Sequence, residues 1–190
     1  VGRSRMTPER ESELYHAVLD LLGEVGYDAL TMDAVAARTR SSKATLYRQW
    51  KGKPELVVRA LRHVKPHAAT WVDTGSLRGD LHAIAASTDD CEKEKSADLI
   101  GGLIHAVRDD PDLYEALREL MIEPGIEELN AVLRRAVERG EVAADSPALE
   151  FLPHMLVGGY VTRPLVEAEC VTTAYLRRYL DAVVLPALGV

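Results

Sequence analysis

Cysteine is scarce in this chain: Cys91 and Cys170 are the two present among 190 residues. They form no CxxC pair and are too few for a disulfide framework, which excludes a small cross-linked scaffold. Aromatic side chains make up only 5% of the sequence, with a single phenylalanine, so any core must be largely aliphatic. No run of about 18 apolar residues occurs, and a membrane span is not expected. Val1 to Met6 carry Arg3 and Arg5 with no apolar stretch behind them, which does not read as a secretory signal. A cytoplasmic location is the expectation. The six histidines are scattered, and HExxH, GxSxG and glycine-rich phosphate loops are missing. The sequence therefore reads as a non-enzyme with no implied cofactor.

What is present is an uneven distribution of charge. The net charge is −7, which by itself argues against a nucleic-acid partner. Residues 31–65, however, hold nine basic side chains against two acids, Asp33 and Glu55, a local charge of +7. Residues 66–190 carry −11 and residues 1–30 carry −3. One basic segment in an otherwise acidic chain suits a part that faces phosphate while the rest stays soluble.

Helical patterning runs through the whole chain. Thr7-Pro8-Glu9 combines a capping hydroxyl, a proline at the first helical position and an acid at the positive dipole end. Leu14, Ala17, Val18, Leu21, Leu22 and Val25 then recur at three- and four-residue spacing. Gly26 is expected to stop this helix. Thr31 caps a short second helix, Ser41 or Ser42 a third, and Gly52-Pro54 opens a fourth. Later starts are expected at Ser76, Ser96, Pro111 and Ser146-Pro147, with an interruption at Pro124-Gly125. The fold class is all-α, with about nine helices.

Residues 31–50, TMDAVAARTRSSKATLYRQW, contain two short helices separated by a brief turn. Small Val35 and Ala36 on the first permit close packing of Leu46 and Trp50 on the second, as a helix-turn-helix requires. The outward positions Ser42, Lys43, Thr45, Arg48 and Gln49 all carry hydrogen-bonding groups, and Ala44 suits a thymine methyl.

This wording resembles the tetracycline-repressor (TetR) family. SSKATLYRQWKGKPEL matches that family's recognition helix and following helix start, and GYDALTMDAVAAR matches the preceding segment. The match spans about the first 60 residues, while HAVRDDPDLYEALRE, AVERGEV and GGYVTRPLV resemble later parts of one branch. The resemblance implies a helix-turn-helix DNA-binding domain over 1–53 and a helical ligand-binding and dimerisation domain over 54–190. It implies that Thr31, Tyr47 and Lys53 contact phosphates, that Lys43 and Ala44 read bases, and that Ser42 and Thr45 touch either. Arg40 stands where the family usually has glycine, at a turn that favours a left-handed residue, and is expected to approach DNA together with Arg48 and Gln49.

The resemblance further implies a homodimer joined through the last two helices, where Gly158-Gly159 allows close approach and Leu176, Tyr179, Leu180, Val183 and Val184 form an apolar face. Recognition helices about 34–36 Å apart, or somewhat more, would read a palindromic double-stranded operator. A small-molecule effector would release it, and Trp71, His82, His105, Tyr114, Met121, Met155 and Tyr160 are the candidate pocket residues. The alternatives are an inducer-independent regulator and a metal sensor using His63 and His67, which lie at i, i+4 on one helix.

Overall fold

A computed structural model describes residues 6–64, 73–87 and 90–190. Eleven α-helices occur among them: α1 (Pro8–Ala29), α2 (Met32–Thr39), α3 (Lys43–Gln49), α4 (Lys53–Val64), α5 (Leu77–Ala86), α6 (Asp90–Asp109), α7 (Pro111–Leu117), α8 (Glu123–Glu138), α9 (Ala148–Glu167), α10 (Thr173–Tyr179) and α11 (Leu185–Leu188). One π-helical turn, Arg118–Ile122, follows α7 directly and leads into α8. Another, Leu180–Val184, joins α10 to α11. Counted as uninterrupted runs, these make nine helices among the described residues, and the fold is all-α.

Several boundaries follow from capping chemistry. Thr7 Oγ1 accepts from the Arg10 amide at 3.3 Å, Thr31 Oγ1 from Ala34 at 3.2 Å, Ser42 Oγ from Thr45 at 3.1 Å and Ser76 Oγ from Gly79 at 3.1 Å. Each satisfies one of the unpaired donors at a helix start. Three expected boundaries differ. Helix α6 begins at Asp90, so Ser96 lies inside it. The Ser146 side chain does not cap α9, which starts after Pro147 without a side-chain cap. Pro124-Gly125 does not interrupt α8. Pro124 lies inside the continuous run from α7 through α8, and the π turn just before it supplies the irregularity that accommodates the missing N–H. Gly26, with φ of 77°, breaks the regular geometry of α1 as expected, and one more turn follows it to Ala29.

The chain divides into two compact units, residues 1–65 with 102–122 and residues 66–101 with 123–190. The first places α1 against α4 and α2, α2 against α3, and α4 against α7. Its buried side chains include Leu14, Val18 and Leu22 of α1, Val35, Leu46 and Trp50 of the α2–α3 pair, Leu56, Val57 and Leu61 of α4, and Leu113 of α7. Packing carries this unit on through α4 and α7.

The second unit has its own core, built from Leu77 and Leu81 of α5, Leu129, Val132 and Leu133 of α8, Leu152 of α9, and Leu180, Val184, Leu185 and Leu188 at the C-terminal end. Only one member of the Gly158-Gly159 pair is needed within the subunit. A Cβ on Gly159 would lie 2.6 Å from Tyr179 Cε1, whereas one on Gly158 would meet nothing within 4 Å. The last helices also divide their apolar residues: Leu180 and Val184 are buried in this core, and Val183 is exposed.

Candidate nucleic-acid interface

Helix α3 has one face in the core and one in solvent. Leu46 and Trp50 are fully buried, at 0% and 2% exposure. Trp50 Nε1 donates to the Tyr15 hydroxyl at 3.3 Å, and the two rings meet edge to face at 5.8 Å. Burial pushes the Tyr15 phenol up to about 12, with the Trp50 bond opposing and the Glu11 bond reinforcing that rise. The anchored face turns Ser42, Lys43, Ala44, Tyr47 and Arg48 outward, all of them exposed, with Thr45 and Gln49 half-buried beside them. Tyr47 is 52% exposed, so its hydroxyl is not consumed by core packing.

The turn into this helix is a Schellman motif. The Ser41 amide donates to Ala36 O at 3.0 Å and the Arg40 amide to Ala37 O at 3.3 Å. Arg40 sits at the left-handed position with φ 51° and ψ 37°. A non-glycine residue there bears a strain of about 1–2 kcal/mol, larger than the roughly 0.4–1 kcal/mol by which glycine favours the unfolded chain. Arg40→Gly is therefore expected to raise stability by somewhat under about 1 kcal/mol while weakening binding to DNA. Denaturant unfolding and operator titration of the same variant check both signs, and a destabilised variant would refute the strain argument.

Two lysines are already engaged within the protein. Lys43 Nζ lies 2.6 Å from Asp33 Oδ1, and this hydrogen bond raises the lysine's pKa. Both side chains are exposed, so the pair is screened by water and a phosphate or base edge can displace it. Asp33 thus serves as a partner for Lys43. Lys53 Nζ donates to Tyr27 O at 3.0 Å and stands 4.1 Å above the Tyr27 ring. It was expected to face a phosphate, and in this conformation it is held by the protein. Thr31 is exposed at the N-terminus of α2 and caps it.

Sequence reasoning missed a neighbouring cleft of about 330 Å³ lined by Arg10, Glu13, Leu14, Ala17, Arg38, Thr39 and Arg40. Arg10 donates to Thr39 O, occupying a carbonyl left open at the end of α2, and also pairs with Glu13 at 2.9 Å. Arg38 pairs with Glu24 at 2.6 Å, and that bond lowers the Glu24 pKa. Arg10 lies outside the basic segment 31–65 and reaches it only through the packing of α1.

The seven candidate effector residues are spread over both units. His105 and Tyr114 are exposed and Met121 is half-buried in the first; Met155 and Tyr160 are half-buried in the second. His82 Nε2 lies 3.1 Å from Asp181 Oδ1. Trp71 lies outside the described residues, as does His67. His63 is instead placed beside α1, its Nε2 3.0 Å from Ser12 Oγ and its ring 6.1 Å from that of His16. Among the described residues no group of three metal-binding side chains occurs, and no helix is long and apolar enough to cross a membrane.

Residues 14–60 match the family profile described as bacterial regulatory proteins, tetR family, and residues 71–183 match a tetracyclin repressor-like C-terminal domain. An uncharacterized HTH-type transcriptional regulator of Mycobacterium tuberculosis is 35% identical over 180 residues, covering 94% of this chain and 88% of that protein. The DNA-binding transcriptional repressor TetR of Mycobacteroides abscessus is 34% identical over 180 residues, with 93% and 92% covered. Among solved structures, a TetR family transcription regulator at 30% identity superposes with a TM-score of 0.71, covering 94% of this chain and 98% of its own. The flavonoid-responsive regulator FrrA, at 19% identity, shares the fold with a TM-score of 0.67, covering 96% of this chain and 97% of its own.

Proposed function

The chain belongs to the tetR family of bacterial regulatory proteins, and from that premise we propose that it is a repressor that reads a palindromic operator as a homodimer and is released by a small molecule. Proteins of this family are DNA-binding regulators rather than enzymes and bind DNA as dimers. The observation that carries the reading is the exposed face of α3, where Ser42, Lys43, Ala44, Tyr47 and Arg48 stand over the buried Leu46 and Trp50. Arg48 and Lys43 supply base-edge donors, and Tyr47, Thr31 and Arg40 supply phosphate contacts. Arg10 joins the phosphate set through its place beside Arg40.

Dimerisation is supported by apolar residues left uncovered on α9: Phe151, Val157, Leu165 and Val166 are 54–83% exposed. Val183, in the π turn after α10, is exposed as well. Gly158, on the same helix with open space where a Cβ would lie, allows a second copy to come close. Release by a small molecule rests on the C-terminal domain match, and the flavonoid-responsive neighbour supports an organic effector as the class to screen.

Selection from random duplex DNA with the purified protein tests the reading. The expected product is an inverted repeat, bound by two subunits. Arg48→Gln is expected to weaken the selected site about ten- to a hundred-fold and relax preference at one position per half-site. Arg10→Gln is expected to weaken all sequences alike and flatten the salt dependence by about one unit per subunit. A protein that is monomeric at micromolar concentration, or that enriches no sequence, would remove the proposal.

A further inference from the structure

Tyr27 joins, through its side chain and main chain together, helices from both family-profile segments. It lies in the 14–60 segment, 5% exposed, at the end of α1. Its hydroxyl donates to Asp110 Oδ2 at 2.7 Å across 83 residues of sequence. Asp110 belongs to the 71–183 segment, yet it packs in the same compact unit as Tyr27. Its other carboxylate oxygen accepts from the Leu113 amide at 3.0 Å and so caps α7. The Tyr27 carbonyl and ring also hold the Lys53 ammonium at the first residue of α4.

The electrostatics match this geometry. Burial, then the bond to Asp110, pushes the Tyr27 phenol far above its ordinary range, so it stays a donor. Burial works to raise the Asp110 carboxyl, but the hydrogen bonds from Tyr27 and from backbone amides, with the nearby Lys53 charge, hold it below the usual value. A neutral donor and a charged acceptor therefore face each other at any physiological pH, and their bond is of the stronger, charge-assisted kind.

We infer that Tyr27 is a positioning residue that links the DNA-binding helices to the α6–α7 corner, fixing the start of α4 through Lys53 and the cap of α7 through Asp110. A shift of the corner pulls on Asp110 and is felt at Lys53, at the start of α4. By reciprocity, fixing that face on DNA steadies the α7 cap. This inference rests on the DNA-binding reading and goes beyond it by assigning the link to one hydroxyl. The mutation Tyr27→Phe removes only that hydroxyl, leaving the carbonyl and ring that hold Lys53. Asp110→Asn keeps a cap acceptor for Leu113 but loses the charge and its second acceptor oxygen.

Hydrogen exchange on the protein with and without the duplex selected from random DNA tests it. In the wild type, DNA is expected to slow exchange several-fold at α3 amides 42–49 and also at residues 112–114. In Tyr27→Phe and in Asp110→Asn, α3 protection is expected to persist and the response at 112–114 to disappear. Equal protection at 112–114 in wild type and both variants overturns the link, as does a wild type protected at α3 and unchanged at 112–114. Absence of protection at α3 in the wild type overturns the DNA-binding reading itself.

Discussion

Replacing Asp80 by alanine is expected to destabilise the second unit by about 3 kcal/mol, at the lower end of the 3–5 kcal/mol range for breaking a buried ion pair. Asp80 is 1% exposed. One carboxylate oxygen accepts from both the Thr74 amide and its hydroxyl at 2.7 Å, fastening the chain that leads into α5. The other lies 3.7 Å from Arg135 Nη2 and 3.6 Å from Arg139 Nη2, with no hydrogen bond of its own. Two Arg135 donors, Nε and Nη2, are likewise buried without a hydrogen bond. Removing the carboxylate takes away the buried opposite charge beside Arg135 and Arg139 and releases Thr74 at once. The lower end of the range applies because Asp73 and Glu141 remain beside the arginines, and both arginine side chains are about a quarter exposed. Asp80→Asn keeps the acceptor for Thr74 and is expected to lose less. Thermal and urea unfolding measure both; an alanine variant within about 0.5 kcal/mol of wild type, the usual span of a surface substitution, would show that the cluster is no keystone.

Trp50→Ala is expected to cost about 3–5 kcal/mol, the range for truncating a buried large aromatic, and to lower Tm by on the order of 10 °C. Trp50 is buried, closes α3 through its amide on Leu46 O at 2.9 Å, and anchors to α1 through Tyr15. Its loss leaves a cavity under the recognition helix and an unpaired Tyr15 hydroxyl lone pair. Operator affinity is expected to fall with stability, because α3 has only seven residues and holds its orientation through Leu46 and Trp50. Trp50→Phe keeps most of the packing and is expected to retain sequence preference while losing the Tyr15 bond. An alanine variant with wild-type Tm and affinity would place the anchor elsewhere.

The helix-turn-helix was legible because its determinants are local. Thr31 and Ser42 cap amides three residues on, and Leu46 and Trp50 fall at helical spacing, so capping and periodicity read these patterns directly; the bond from Trp50 to Tyr15, 35 residues earlier, lies beyond that reach. The left-handed turn at Arg40 was legible for the same reason, since the Schellman bonds close over six residues. Two boundaries lie elsewhere than local signals place them, because competing signals meet there. Pro124-Gly125 carries the marks of a stop, but the π turn just before it accommodates the missing N–H and the helix runs on, and Pro147 instead of Ser146 stands at the start of α9. The spacing of Lys53 from Tyr47 matches the family pattern for a phosphate contact, but it carries no information about Tyr27, 26 residues earlier, whose carbonyl accepts from the ammonium.

The basic, short-helix segment from Thr31 to Lys53 was thus determined by sequence alone: which residues form the recognition helix, which of them face inward, and that the surrounding charge favours phosphate. Tertiary structure alone decided what those residues touch when no DNA is present. It set Lys43 on Asp33, Arg10 beside Arg40, and Tyr27 between Lys53 and Asp110. The last of these joins segments 83 residues apart, and such contacts are chosen by the packing of whole helices, α1 on α4 and α4 on α7. Helical spacing and caps act over one or two turns. Partnerships between distant segments exist only once the helices that carry them have been brought together.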